Sequence, residues 1–476
     1  MAGQRKRIPA LAIATVLAAA LIVPVATAGA SNRASGRATV PAAANAKCPL
    51  DALKKASNPV EITFWHSMPR ANEATLQRLT DQYNASQSKV KVTLVNQTTY
   101  NDTLTKYVAG LSTGDLPDLV QIEDTALQQM IDTKSVLPAQ ACVKADKYDL
   151  SGHVKRVVDY YTVNGTLWPM PFNVSNPIFF YNKKAFTRAG LDPNKPPTTL
   201  DEVTADAKKL KDSGAISQAG FGLKTDPWYL EQWLAKAGQP YVNNGNGRKA
   251  RATAVQFDTK QGLALFTWMS KMVSSGLAVT NGNEGTPQYD NLLGIGNGNL
   301  AMTIDSSATL GTISSVLSGG QYPNVELGVG PMPGPVGKGG ILVGGAALYI
   351  SNKSDPAKQA AAWDFSKFLN TAQAQADWAA GTGYVPIVEA ATKTPEVQQL
   401  WAKNPGYKVA YDQLVTGVNN VATSGPVIGA YKGVRDAVIT AEKSMFTQGV
   451  KPKAALGAAK SNANSAMQEY NTRVGG

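Results

Sequence analysis

The sequence predicts an α/β fold in which a parallel sheet is covered by helices. Two observations carry this reading. Strand and helix patterns alternate from residue 59 onward, and 43% of the 476 residues are hydrophobic against 17% charged, enough to bury a large core. At about 150 residues per domain, the length suits two or three domains.

The elements follow in order. Residues 60–64 (VEITF) form a short apolar strand, and Leu76, Leu79 and Tyr83 then mark one face of a helix at spacings of three and four. Residues 90–95 alternate as a second strand. Leu104, Tyr107, Val108 and Leu111 define a second amphipathic helix, and a Gly-Asp-Leu-Pro turn at 114–117 leads into a strand at 118–122. Further on, residues 177–181 read as a strand and 183–189 as a helix. Leu200, Val203, Ala207 and Leu210 form the buried stripe of another helix, as do Leu265, Trp268, Met269 and Met272. Strands are expected at 300–304 and 342–350, with a turn-rich stretch at 318–340 between them, and helices at 356–369 and 431–446.

The N-terminus predicts export. Arg5, Lys6 and Arg7 precede an apolar stretch at 8–28 that ends in an Ala-Thr-Ala cleavage pattern, so residues 1–28 read as a signal peptide, with retention as a membrane anchor as the alternative. Residues 29–46 read as a flexible tether. The only cysteines are Cys48 and Cys142, which in an exported chain most simply form one disulfide; a lipid on Cys48 is the alternative.

The net charge of +12 includes five basic residues and no acid within the first 46, and the remaining +7 forms no basic block. Nucleic acid is therefore not an expected partner. Only His66 and His153 are present, too few for a zinc site of several histidines; His66 is read as supporting the first strand and His153 as a surface residue. Residues 110–114 match G-x-S-x-G, but they end a helix before a strand, whereas a nucleophile elbow joins a strand to a helix. The match is read as chance. No catalytic residue, metal site or cofactor is expected.

Several segments carry a resemblance: FWHSM at 64–68, PFNVSNP at 171–177, YNKKAF at 181–186, AGLDP at 189–193 and GYVPI at 383–387. They resemble the extracytoplasmic solute-binding proteins of ABC importers, in particular the branch that binds glycerol 3-phosphate and glycerophosphodiesters. The resemblance implies a two-lobed fold with discontinuous lobes and a ligand cleft at the hinge. Residues 47–174 and 306–349 would form the first lobe, and 175–305 and 350–476 the second. Crossings are expected near 173–176, 304–306 and 347–351. It also implies a monomeric receptor outside the membrane, partnered by permease subunits. A sugar receptor of the same fold and an exported hydrolase are the alternatives.

The resemblance places ligand contacts at Tyr100, Asp124, Ser175, Trp228, Ser306, Gly345, Tyr384 and Arg435. Asp124 also lies just past a strand and before a helix, where open α/β sheets bind ligands, although an N-cap has the same signature. Ser306 precedes a helix start whose N–H groups suit a phosphate; a plain serine cap looks the same. Arg435 falls at the edge of the apolar stripe of its helix, placed to grip phosphate, and its removal is expected to leave the fold nearly unchanged. Trp228 and Tyr384 offer faces to polyol carbons or a cation. Two departures stand out against glycerol 3-phosphate binders: Thr225 replaces a tryptophan, and Asp124 replaces a glutamate. Both shorten side chains, so a diester such as glycerophosphocholine is expected to bind more tightly than the monoester.

Overall fold

The computed structural model describes residues 46–283 and 289–475. The segment read as a signal peptide and nearly all of the tether lie outside them.

Two mixed sheets organise the chain. In the first, Val60–His66 lies between the parallel strands Val90–Asn96 and Leu119–Glu123. Gly344–Ser351 then runs antiparallel to Leu119–Glu123 and pairs on its other side with Met170–Ser175 and Val136–Leu137. In the second sheet, Ala219–Thr225 lies between the parallel strands Ala278–Asn283 and Leu300–Ser306. Pro177–Asn182 joins antiparallel to Leu300–Ser306, and Leu327–Pro331 closes the edge. The β/α units at the start of the chain thus build a parallel core. Antiparallel strands from distant segments extend both sheets beyond the parallel arrangement expected.

The helices form where the apolar spacing places them. Arg70–Ser86 buries Leu76, Leu79 and Tyr83. Leu200–Asp212 buries Leu200, Val203, Ala207 and Leu210, and opens with a capping box between Thr199 and Glu202. In Tyr100–Thr113, Thr103 and Tyr107 face inward while Val108 is exposed, so the stripe is narrower than the spacing predicts. The G-x-S-x-G stretch is the end of this helix. Ser112 Oγ donates to the Ala109 carbonyl at 2.9 Å, an ordinary contact for an exposed serine in a last helical turn.

The lobe boundaries need correction. Leu327–Pro331 is hydrogen-bonded into the second sheet, so that strand does not join the first lobe. Helix Pro356–Leu369 packs on strand Val60–His66 and helix Ala372–Thr382 on helix Arg70–Ser86, so residues 350–382 do not belong to the second. The chain first passes between the sheets from Met170–Ser175 to Pro177–Asn182. The other two crossings fall later than expected. The chain returns to the first sheet between Pro331 and Gly344. It leaves again after Glu389, whose amide still donates to the Gly152 carbonyl, since helix Pro405–Thr416 packs on Leu327–Pro331.

Cys48 and Cys142 form a disulfide, with an S–S distance of 1.99 Å. His153 is buried, not on the surface, with Nε2 3.3 Å from Asn370 Oδ1. His66 is buried at the end of the first strand, where its Nδ1 accepts from the Met68 amide at 3.3 Å.

Candidate functional site

The site is built where the chain passes from one sheet to the other. Strand pairing sets Gly344 opposite Ser175, Gly345 opposite Val174, and Ala346 opposite both Asn173 and Glu123. Gly345 has φ +99°, and a Cβ on it would lie 2.0 Å from the Asn173 carbonyl oxygen, so only glycine allows the two strands to approach here. A Cβ on Gly344 would fall 3.7 Å from the Trp228 ring, which sits at the start of helix Pro227–Lys236. Ser306 pairs with Pro177, two residues beyond Ser175.

On one side, hydrogen bonds between neutral groups connect the residues. Asn173 Nδ2 donates to Tyr100 Oη at 2.9 Å, and the Tyr100 and Tyr384 hydroxyls lie 3.2 Å apart. Asn173 is itself fixed by Gln121 Nε2, which donates to its Oδ1 at 2.8 Å. Tyr384 stacks on Trp378 with ring centroids 5.4 Å apart. Burial pushes both the Tyr100 and the Tyr384 hydroxyl above the ordinary phenol range, so both stay neutral donors and acceptors.

On the other side the site is charged. Arg435, on helix Tyr431–Gln448, donates from Nε and Nη2 to the two carboxylate oxygens of Glu231, each at 2.9 Å, and from Nη1 to Glu123 Oε1 at 3.2 Å. Its guanidinium also lies 5.2 Å from the centre of the Tyr431 ring. Burial works against its charge, but Glu231 and Glu123 outweigh it and hold the guanidinium protonated. Asp124, one residue beyond Glu123, accepts from the Tyr160 hydroxyl at 2.6 Å. Burial and then the neighbouring Glu123 raise the Asp124 carboxyl well above its ordinary range, which makes it a candidate hydrogen-bond donor.

The eight residues expected at the site lie along this crossing, but two roles change. Arg435 is buried, not at the edge of a stripe, and it holds two carboxylates that the sequence reading does not include. Its removal would leave Glu231 buried without its bidentate partner, so the fold would not be indifferent to it. Ser306 Oγ accepts from the Ala308 amide at 3.2 Å, which is a serine cap; that N–H is not open to a phosphate. Thr225 is buried at the end of its strand, three residues before Trp228. Glu231 escapes the sequence reading although it carries a signal: it interrupts the aromatic run WYLEQW, and a carboxylate in such a helix needs a cation.

Away from the crossing, a concavity of about 500 Å³ lies beside the edge strand Leu327–Pro331, lined by Tyr181, Leu310, Leu317 and Val329 among others. Among the described residues, no group of His, Cys, Asp and Glu is arranged to hold a metal ion, and no helix is long and apolar enough to cross a membrane.

Comparison with known proteins agrees with this architecture. The chain is 30% identical over 407 residues to the sn-glycerol-3-phosphate-binding periplasmic protein UgpB of Yersinia pestis, covering 83% of this chain and 90% of that one. It is 28% identical to UgpB of Pectobacterium atrosepticum, covering 86% and 92%. Among solved structures, UgpB from Mycobacterium tuberculosis in complex with glycerophosphocholine superposes with a TM-score of 0.72 at 20% identity, over 87% of this chain and 99% of that one. A cyclic α-maltosyl-1,6-maltose binding protein from Arthrobacter globiformis gives 0.68 at 23% identity, over 87% and 100%. The fold is thus the two-lobed α/β fold of periplasmic binding proteins. Residues 78–406 match the family of bacterial extracellular solute-binding proteins, and the chain belongs to that family.

Proposed function

We propose that the protein is the receptor of an ABC importer. It captures a glycerophosphodiester such as glycerophosphocholine, or sn-glycerol 3-phosphate, outside the membrane and delivers it as a monomer to the permease. It binds without turnover and needs no cofactor. The observation that carries this reading is the convergence of Tyr100, Asp124, Ser175, Trp228, Ser306, Gly345, Tyr384 and Arg435 on one crossing between the two sheets. Arg435 would bind the phosphate, Asp124 and the two tyrosine hydroxyls the glycerol, and Trp228 the head group.

A second reading has its own support. An arginine already held by carboxylates, at a crossing that also carries the Trp228 and Tyr384 rings, suits a neutral sugar, and a sugar binder shares the fold. Calorimetry with glycerophosphocholine, glycerol 3-phosphate and a series of maltodextrins separates the two. Binding of sugars alone would refute the phosphate reading. Release of choline from glycerophosphocholine at even about 1 per second, an ordinary enzyme rate, would refute the receptor reading.

A further inference from the structure

Among the described residues, the arginine proposed to bind phosphate is held by two carboxylates of unlike character. Glu231 lies on the same lobe as Arg435, its side chain 2% exposed, and it takes the guanidinium bidentately. Glu123 comes from the first sheet, its side chain 28% exposed, and makes a single contact with Nη1. Its other oxygen accepts from Thr125 Oγ1 at 3.1 Å. Two parallel charge-assisted bonds in a buried setting are stronger than one at a wetter position, so an incoming phosphate displaces Glu123 before Glu231.

That exchange has an electrostatic consequence. Lys224 is engaged 2.6 Å from Asp305, while the Arg435 guanidinium serves both Glu231 and Glu123. Once displaced, Glu123 remains beside the ligand as a carboxylate. A phosphomonoester dianion then meets like charge, whereas a phosphodiester carrying a cationic head group brings a partner for the released group. Asp124 is hydrogen-bonded by Tyr160 and buried, so Glu123 is the better placed of the two acids to receive that cation.

We infer that Glu123 sets the charge selectivity of the site, admitting a zwitterionic phosphodiester and rejecting a phosphomonoester. The inference rests on the phosphate reading above and names the residue and the ligand charge that reading leaves open.

The test titrates the full chain and its Glu123→Gln and Glu123→Asp variants with glycerophosphocholine, glycerophosphoglycerol and glycerol 3-phosphate. In the wild type, glycerophosphocholine binds most tightly and glycerol 3-phosphate most weakly. Glu123→Gln tightens glycerol 3-phosphate by about tenfold or more, the size of a removed like-charge contact, and reduces the preference for choline over glycerol as head group to what Trp228 supplies. Glu123→Asp keeps the wild-type order, which a purely structural role would not require. A uniform shift of all three ligands in Glu123→Gln would overturn the inference. The wild type alone also decides it, since equal affinity for the choline and glycerol diesters does the same. Failure of the wild type to bind any of the three removes the phosphate reading itself, a result distinct from either of these.

Discussion

Two arginines of the second lobe reach carboxylates of the first, and they do so in different ways. Arg251 contacts Asp132 through two parallel bonds of 2.9 and 2.8 Å, and Tyr470 donates a third to the same carboxylate at 3.0 Å. Arg435 spends its bidentate edge within its own lobe on Glu231 and reaches Glu123 across the crossing with one bond of 3.2 Å. The first contact is saturated and ties the lobes together through residues outside the proposed ligand set. The second is replaceable, as the proposed exchange of one anion for another requires. The chemistry is the same in both places; two bonds to Asp132 against one to Glu123 separate a fastening from the group proposed to bind ligand.

Breaking the buried pair should cost the most. Arg435→Ala leaves Glu231 as an uncompensated buried carboxylate and should lower the unfolding free energy by about 3–5 kcal/mol, measured by urea denaturation. An unchanged midpoint would mean that Glu231 is not ionised in the fold. Arg251→Ala should cost less, about 1.5–3 kcal/mol, because Asp132 keeps Tyr470 as a donor. It should also loosen the lobes, read as a larger radius of gyration in small-angle scattering. A cost equal to that of Arg435→Ala would erase the difference between the two arginines.

A third carboxylate extends the contrast through pH. Glu442 lies two turns beyond Arg435 on the same helix, buried, with neither oxygen hydrogen-bonded among the described residues. Burial, then Asp226 and Glu231, raise its pKa well above the ordinary carboxylate range. The folded chain thus keeps a proton that the unfolded chain releases. The stability this gives is fully present below the unfolded pKa and is lost as pH rises toward the folded one, by up to about 1.4 kcal/mol per pH unit. Glu442→Gln should remove that slope, so its gain in melting temperature over the wild type should be larger at about pH 8 than at about pH 5. Equal gains at both would refute the buried proton.

Ligand size should matter least. Thr225→Trp should weaken glycerophosphocholine more than glycerol 3-phosphate, by a factor of about ten, at a cost of about 1–3 kcal/mol in stability because Thr225 is buried. Equal weakening of both ligands would separate ligand size from the charge selectivity assigned to Glu123.

The first β/α units are legible in the sequence because their apolar residues keep strict strand and helix periods, as at 60–66 and in the Leu76, Leu79, Tyr83 stripe. The edge strand Leu327–Pro331 is not. Its sequence, LGVGP, reads as a turn, yet its Gly328 admits the Tyr181 ring, which a Cβ would approach to 2.3 Å. The lobe boundaries move with that strand. At the site, single residues attached to motifs are readable, whereas Glu123 and Glu231 become partners of Arg435 only through contacts spanning 312 and 204 positions. No local period encodes such a pairing. Glu231 is open to inference from its aromatic neighbours, while Glu123, partly exposed at a strand end, looks like any surface acid.

The disulfide has a mechanical consequence. Cys48 stands at the start of the described chain and is cross-linked to Cys142 on helix Ala139–Asp146, while the short helix Leu50–Lys55 rests on Pro356–Leu369. A pull on the N-terminus therefore passes through a covalent bond into the body of the first lobe, 94 positions along the chain, before it loads the hydrogen bonds of strand Val60–His66. The first lobe takes the tension as one piece. The second lobe lies outside that load path, so a tug on the leading end does not strain the contacts that join the two.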